Sequence, residues 1–245
     1  MPTTPEPATT PEPATTPEPA TAPEPATSPE AATAPEPATA REPARIRPYR
    51  PSDLDALYRV CLQTGRDGAD ATGLYRDPYL LGHVHAAPYG IFQPSLAFVV
   101  EDDEGVGGYV LGALDSDAFA DRLDRDWWPR LRGRYPDPPA DVPPEQWTPD
   151  QAKAHSIHHP FRSAPASTRG YPSHLHIDIV PRLQSGGNGR RLMNTLFAAL
   201  REQGSPGVHL GVHATNTRAI GFYRHIGFTE LAADGAAVVF GMDLR

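Results

Sequence analysis

The sequence of 245 residues has a single cysteine, Cys61, and no apolar stretch as long as the roughly 18 residues that mark a membrane-spanning helix. One cysteine excludes an internal disulfide and is typical of a reducing compartment. The N-terminus also lacks the basic segment and apolar run of a secretory signal peptide. We therefore expect a cytoplasmic protein with no membrane contact.

Aromatic residues, leucine, valine and isoleucine are all missing from residues 1–43. This segment repeats near-copies of PEPATT, with a glutamate at every sixth position from Glu6 to Glu42. A six-residue period could suggest a β-helix, but such repeats need apolar residues to stack. Too little apolar surface is available to offset chain entropy, so we expect residues 1–43 to be a disordered tail and residues 44–245 to be the folded domain.

The sequence has no excess of basic charge. Its formal net charge is −8, and residues 1–42 carry −6 of it, which leaves about −2 for the remainder. A nearly neutral domain without a basic stripe gives no indication of a nucleic-acid or anionic-membrane partner. We expect neither.

The first half of the domain predicts a strand, a helix and a hairpin. Arg45–Arg50 has the pattern of a strand, and Ser52 with Asp55 three residues later resembles a capping box that begins a helix. The apolar runs 96–100 and 106–114, joined by an acidic turn with glycine, predict an antiparallel hairpin. Residues 115–172 predict a helix over Asp117–Arg132 and then a Pro-rich irregular segment.

The second half predicts strands that alternate with helices. Residues 174–180 alternate with the period of two typical of a strand, and a Gly-rich turn at 184–189 leads into an apolar-faced helix. A strand at 208–214, a helix at 216–226 that ends at Gly227, and a last strand at 236–244 follow. Together these elements favour a mixed α/β sheet with helices on its faces.

The Gly-rich turn is a candidate anion site, because glycines allow backbone amides to approach a ligand beside a helix N-terminus. A P-loop is excluded, since Gly189 is followed by two arginines instead of Lys-Ser/Thr. The spacing also does not supply a dinucleotide fingerprint. An ordinary left-handed turn would explain the motif equally well if it stood alone.

Two motifs together resemble the GNAT acyltransferase superfamily. Gln184-x-x-Gly187-x-Gly189 is similar to its pyrophosphate loop, and Asn216-x-x-Ala219-x-x-Phe222-Tyr223 with Gly227-Phe228 is similar to its following helix. The resemblance implies a mixed, mostly antiparallel twisted sheet flanked by helices. A long insertion, at about 115–172, would separate the third and fourth strands. Residues 98–115 and 127–136 narrow the resemblance to the acetyltransferase-like domain of O-GlcNAcase and its free-standing bacterial relatives.

This resemblance implies an acetyl-CoA-dependent N-acetyltransferase that moves an acetyl group to a primary amine by direct attack in a ternary complex. The amine would belong to a small molecule or a protein lysine. A degenerate domain that binds acyl-CoA or a protein without catalysis is the alternative. The expected cofactor-binding residues are Ile179, Val180, Gln184, Ser185, Gly186, Gly187, Asn188, Gly189, Arg190, Asn216, Ala219, Phe222 and Tyr223.

The resemblance also implies the catalytic groups. Tyr223 would protonate the departing thiolate of coenzyme A. His174, His176 and Asp178 alternate on one strand and therefore project to one face, where an attacking ammonium could lose its proton. Asp178 is the first candidate base and His176 the second, and one of these two could instead only hold a loop by hydrogen bonding.

Histidines clustered in the sequence raise the alternative of a metal site: His155, His158, His159, His174 and His176. None has closed ligand spacing with a cysteine, so we expect no metal. These residues could instead line the acceptor pocket with Trp127, Trp128 and Tyr171, and Phe161 and Arg162 would shape substrate entry. The two tryptophans could alternatively form an interface, so the sequence leaves monomer and dimer open.

Overall fold

A computed structural model describes residues 43–160 and 166–245. The tail predicted for residues 1–43, except Pro43, lies outside these residues, as do Phe161 and Arg162. Among the helices that the structure describes, none combines the length and the apolar character needed to cross a bilayer.

A seven-stranded sheet forms the centre of the domain, with strand order β1-β2-β3-β4-β5-β7-β6. Every pairing is antiparallel except that of β4 with β5. The strands are β1 (Arg45–Pro48), β2 (Ala97–Asp102), β3 (Gly105–Ala113), β4 (Ser173–Ile179), β5 (Gly207–His213), β6 (Thr229–Ala233) and β7 (Ala237–Asp243).

Helices cover both faces of this sheet, which confirms the predicted mixed and mostly antiparallel α/β fold. They are α1 (Leu54–Thr64), α2 (Leu80–His85), α3 (Ala87–Phe92), α4 (Ser116–Asp126), α5 (Trp128–Arg132), α6 (Pro149–His158), α7 (Asn188–Glu202) and α8 (Thr217–Ile226).

Strand β3 divides the apolar core into two layers. Tyr109 and Leu111 are fully buried and pack in the layer formed with α1, α2 and α3. Val110, which points the opposite way, packs in the layer that contains Leu196 of α7 and Tyr223 of α8. Successive side chains of a strand point to opposite faces, so one short apolar run is buried on both sides.

The parallel pair β4–β5 is very short. Only Ser173 with Val208 and His174 with His209 are paired, and beyond them the two strands separate. The part of β4 from Leu175 to Ile179 is therefore paired with β3 on one side and open on the other. This separation creates a gap in the middle of the sheet.

Several elements differ from the sequence-based expectation. The first helix begins at Leu54, and the carboxylate of Asp53, not a Ser52–Asp55 capping box, accepts a 2.8 Å bond from the Arg50 amide. The predicted helix 117–132 is divided at Trp127, because the Pro129 nitrogen has no hydrogen to continue the helical bonding. Strand β6 was not predicted at all.

Helix α6 lies in the segment predicted to be irregular. Thr148 and Gln151 form a capping box, with Thr148 Oγ1 accepting from the Gln151 amide at 3.2 Å and Gln151 Oε1 from the Thr148 amide at 2.9 Å. Pro149 occupies the first helical position, where its missing N–H costs nothing. The prolines that precede α6 favoured the prediction of an irregular segment over that of a helix.

Candidate functional site

The gap between β4 and β5 opens into a cleft of about 690 Å³. Its walls come from α1, β4, the glycine turn, β5 and α8. Of the predicted catalytic and cofactor-binding residues, all of which lie in the described part of the chain, only Val180 and Gly186 do not line it. The sequence-predicted residues are thus brought together by the fold.

The glycine turn has an unusual backbone. Ser185, Gly186 and Gly187 have consecutive φ values of 74°, 63° and 77°, in the left-handed region that glycine enters without strain. Helix α7 follows directly, and its first main-chain bond at this end runs from the Arg191 amide to the Gly187 carbonyl. The first four amides of a helix have no partner within it, so this end presents donors and a positive dipole to the cleft.

Two side-chain amides hold the turn in place. Gln184 Nε2 donates to the Ile179 carbonyl at 2.7 Å, and Asn188 Nδ2 donates to the Leu183 carbonyl at 3.0 Å. Both residues are among the expected cofactor-binding residues. Their side chains are used to shape the turn, which leaves the main-chain amides to face a ligand.

Helix α8 packs closely against the start of α7. A Cβ built on Gly189 would lie 3.1 Å from Cζ of Phe222, so the glycine permits this approach. At the beginning of α8, Asn216 Oδ1 accepts a 3.1 Å bond from the Ala219 amide and caps the helix. These contacts fix Phe222 and Ala219 at the wall of the cleft.

The open edge of β4 presents alternate backbone groups. The Val180 amide donates to the Gly107 carbonyl at 2.8 Å, and Asp178 lies opposite Tyr109 in the same register. In an antiparallel pair the bonding direction alternates, so the amides of Ile177 and Ile179 point away from β3 and into the gap. Val180 itself is buried, and its amide is already used.

The side chains of His174, His176 and Asp178 form a polar row on the face of β4 that lies toward α1. Asp178 Oδ2 accepts a 2.6 Å bond from the Tyr109 hydroxyl. His174 is bound at both ring nitrogens, by Tyr89 at 2.7 Å and by Ser116 at 2.8 Å. His174 therefore ties β4 to α3 and α4 through both of its ring nitrogens.

Burial changes the protonation of the groups in this row. It raises the pKa of Asp178, an effect that hydrogen bonds from Tyr109 and Thr64 oppose. Burial, with the nearby positive charge of Lys153, lowers the pKa of His176 to about 4. His176 is thus uncharged at neutral pH, and the carboxyl of Asp178 is a stronger base than an ordinary aspartate.

Tyr223 lies on the cleft wall, 8% exposed. Burial and the charge of Asp178 raise its pKa, which keeps the hydroxyl protonated at neutral pH. Its ring packs edge-on against Phe228, with centroids 5.6 Å apart. The aromatic packing holds a proton donor at a fixed place in the cleft.

Three further cleft residues were not identified from the sequence: Lys153, His85 and Arg218. Lys153 is the only lysine in the sequence, a composition signal that was available. It extends from α6, with Nζ 3.0 Å from Nε2 of His85, and burial lowers its pKa. Arg218, inside the Asn216–Tyr223 motif, adds positive charge to the cleft wall.

The aromatic residues expected in the acceptor pocket lie elsewhere. Trp127 and Trp128 are buried in the core, and Trp127 Nε1 donates to the His83 carbonyl at 2.8 Å. Tyr171 packs on the backbone of Gly207 and Gly241, away from the cleft. Two buried tryptophans are also unavailable as a subunit interface.

The clustered histidines separate into three groups. His174 and His176 belong to β4. His158 bonds to the Tyr135 carbonyl at 2.8 Å. His155 and His159 both contact Asp137, at 2.9 and 2.7 Å.

Known proteins resemble this chain over most of its folded part. Rattus norvegicus protein O-GlcNAcase is 27% identical over 190 residues, which are 76% of this chain and 20% of that protein. The chain thus spans about a fifth of the length of this curated relative. The Mus musculus protein matches equally.

Two solved structures also resemble this chain over most of its folded part. SsHAT superposes with a TM-score of 0.76 and 38% identity, over 82% of this chain and 98% of SsHAT. The PaiA N-acetyltransferase of Thermoplasma acidophilum, solved with coenzyme A, shares the fold at a TM-score of 0.50 and 13% identity, over 82% and 99% of the two chains. Residues 74–228 match the family described as acetyltransferase (GNAT), and the chain belongs to this family.

Proposed function

We propose that the protein is an N-acetyltransferase that moves an acetyl group from acetyl-CoA to a primary amine, with both substrates bound in the cleft. One observation carries the proposal. The cleft joins a helix N-terminus with unpaired amides, the open edge of β4, the buried Tyr223 and the half-buried Asp178. The helix N-terminus would bind the diphosphate of acetyl-CoA, the edge of β4 would bind its pantetheine arm, and Tyr223 and Asp178 would lie near its thioester.

The donor would bind by its backbone-like arm and its phosphates. We assign the diphosphate to the amides from Gly187 to Arg190, aided by the positive charge of Arg218. The pantetheine arm would pair with the amides of Ile177 and Ile179 as an added strand. The Asn216 side chain would offer its Nδ2 amide to the arm, because Oδ1 caps α8. One of the β4 amides would also polarise the thioester carbonyl.

The reaction would be a direct aminolysis. The acceptor ammonium loses a proton to Asp178, and the amine nitrogen then attacks the thioester carbon. The carbon–sulfur bond breaks, and the thiolate takes its proton from Tyr223. The nitrogen, which still carries one surplus proton after the attack, returns a proton to the tyrosinate, and Asp178 releases its proton to solvent. His176, whose pKa is lowered to about 4, is the second candidate base and would orient the acceptor.

The acceptor would enter from the side of Lys153 and His85. Both line the cleft and both have a pKa lowered first of all by burial. Burial thus disfavours the positively charged forms of both side chains. A small amine or a lysine side chain is therefore compatible with this end.

The test is a titration with acetyl-CoA by calorimetry, followed by thiol release with a panel of amines. Gly187→Val would place a side chain in the diphosphate space and should weaken binding at least about tenfold. Gly235→Val is the matched control: Gly235 also has positive φ, at 85°, and open space around its Cβ, but does not line the cleft. Its strain should be similar and its coenzyme affinity unchanged.

Equal loss in both variants, or no binding of acetyl-CoA at millimolar concentration, would contradict the proposal. Tight binding without turnover on any amine would favour the second reading, a domain that binds acyl-CoA without catalysis.

A further inference from the structure

Three side chains that have no part in the proposed acetyl transfer converge on the surface of the segment between β3 and β4. Asp137 lies in the Pro-rich stretch, and His155 and His159 lie one turn apart at the end of α6. One ligand atom from each lies within 4.8 Å of the other two. Two imidazoles and one carboxylate form a typical set of protein ligands for Zn²⁺ and similar ions.

The local sequence explains why these residues meet. Positions four apart share a face of a helix, so His155 and His159 are neighbours. Their rings are 4.1 Å apart and inclined by 31°, so they are nearly parallel. The capping box at Thr148 fixes where α6 begins and therefore which face carries the two rings.

The carboxylate of Asp137 bridges the two rings. His155 Nδ1 is 2.9 Å from Oδ1, and His159 Nε2 is 2.7 Å from Oδ2. Ligand atoms that share an ion with bonds of about 2.0–2.1 Å are about 3.3 Å apart in tetrahedral geometry, so both nitrogen–oxygen distances are close to the separation that a shared ion requires. Exposed fractions of 38%, 57% and 34% for the His155, His159 and Asp137 side chains leave room for a water as a further ligand.

We propose that Asp137, His155 and His159 bind one Zn²⁺-class ion, which fastens the Pro-rich stretch 136–147 to α6. The same helix carries Lys153 to the cleft, so occupancy would stiffen the element that contributes to the acceptor end. The site is separate from the proposed coenzyme cleft, because none of its three residues lines it.

Binding is tested with tag-free full-length protein and ZnCl₂ by calorimetry. We expect one Zn²⁺ per chain, and His159→Ala and Asp137→Asn should each lower the affinity about tenfold or more. His158→Gln is the matched control, since it changes a histidine on the same helix that contacts the Tyr135 carbonyl instead of Asp137. Its zinc affinity should equal that of the wild type.

A second measurement does not depend on variants of the ligands. The Trp147 ring lies 4.6 Å from that of His155, so Co²⁺ bound at the site should quench Trp147 fluorescence, and Trp147→Phe should remove this quenching. Visible absorption of the Co²⁺ complex would report nitrogen and oxygen ligands. Unchanged zinc affinity in both ligand variants, or no binding at millimolar Zn²⁺, would overturn the proposal and leave a hydrogen-bonded cluster only.

Discussion

The hydroxyl of Tyr109 donates a 2.6 Å hydrogen bond to Oδ2 of Asp178, across the pairing of β3 with β4. Tyr109 is fully buried, and its partner faces the proposed reaction centre. The carboxylate that we assign as the base thus has a donor from the core, which limits how far burial can raise its pKa.

Tyr109→Phe removes this donor. Because the bond stabilises the charged carboxylate, its loss should raise the pKa of Asp178 further. The base must be ionised to accept a proton, so the acid limb of the kcat/KM profile should move to higher pH. Tyr89→Phe, which removes a hydrogen bond from His174 instead, should leave that limb in place. A limb that moves equally in both variants would argue against Asp178 as the base.

Tyr223→Phe keeps the aromatic packing against Phe228 but removes the proposed proton donor. A thiolate is a good leaving group, so we expect kcat to fall by about 10²-fold, the lower end of the usual range for acid–base catalysis. Affinity for acetyl-CoA, measured by calorimetry, should not change. An unchanged kcat would remove Tyr223 from the mechanism.

Arg218→Ala should weaken coenzyme binding by about fivefold at low salt, because one positive charge on the cleft wall is lost. The difference should shrink as salt is added, since the charge is exposed and screened. Arg224→Ala on the same helix is the control: Arg224 pairs with Glu230 at 2.8 Å and does not line the cleft. Titrations at two ionic strengths distinguish these outcomes.

Lys153 should titrate below the ordinary lysine range of about 10.4, because burial disfavours its charged form. As the only lysine, it can be labelled with ¹³C-methyl groups and followed by NMR. The titration midpoint should be lower in the folded protein than in urea. Coincident midpoints would show that the Lys153 side chain is solvated in the folded protein.

A buried ion pair should make stability depend on pH. The Arg47 guanidinium binds Asp53 at 2.7 and 2.9 Å, both side chains are 9% exposed, and the hydrogen bond to Arg47 lowers the pKa of Asp53. The stabilisation is complete above the unfolded-state pKa of 3.8 and is lost as pH falls through the lower folded-state value.

The same pair predicts the effect of Asp53→Asn. At neutral pH the variant should lose about 3 kcal/mol of unfolding free energy, since a buried guanidinium loses the carboxylate of Asp53 and keeps that of Glu101. Urea unfolding at pH 7 and below pH 4 measures the difference. It should narrow at the lower pH, and a constant difference would contradict the assignment.

The elements that could be predicted from the sequence are those that interactions between neighbouring residues determine. The alternation in β4 was visible because its polar and apolar residues point to opposite faces. The turn at 184–189 was visible through its glycines, and the end of α8 through Gly227, which has φ of 103°. Strand β6 has no comparable alternation, with the sequence TELAA, and its position depends on pairing with β7.

The candidate site shows the same division. Motif residues could be named because they are adjacent in sequence, whereas Lys153 and His85 meet only after folding and are 68 residues apart. The burial of Trp127 and Trp128 in the core also depends on tertiary packing. A tryptophan has the same apolar side chain in a core and in a pocket, so the sequence does not distinguish the two. Asp137 was missed because its histidine partners are 18 and 22 residues away.

Since β4 and β5 share two residue pairs, the sheet is joined across its centre at one end only. In the protein without coenzyme, amide hydrogen exchange should therefore be faster at Ile177 and Ile179 than at the residues of β4 whose amides bond to β3. Coenzyme in the gap would act as the absent neighbour of these residues and slow their exchange. With coenzyme bound, the protein would unfold as one cooperative unit. Without coenzyme, the boundary between β4 and β5 would open before the rest of the domain unfolds.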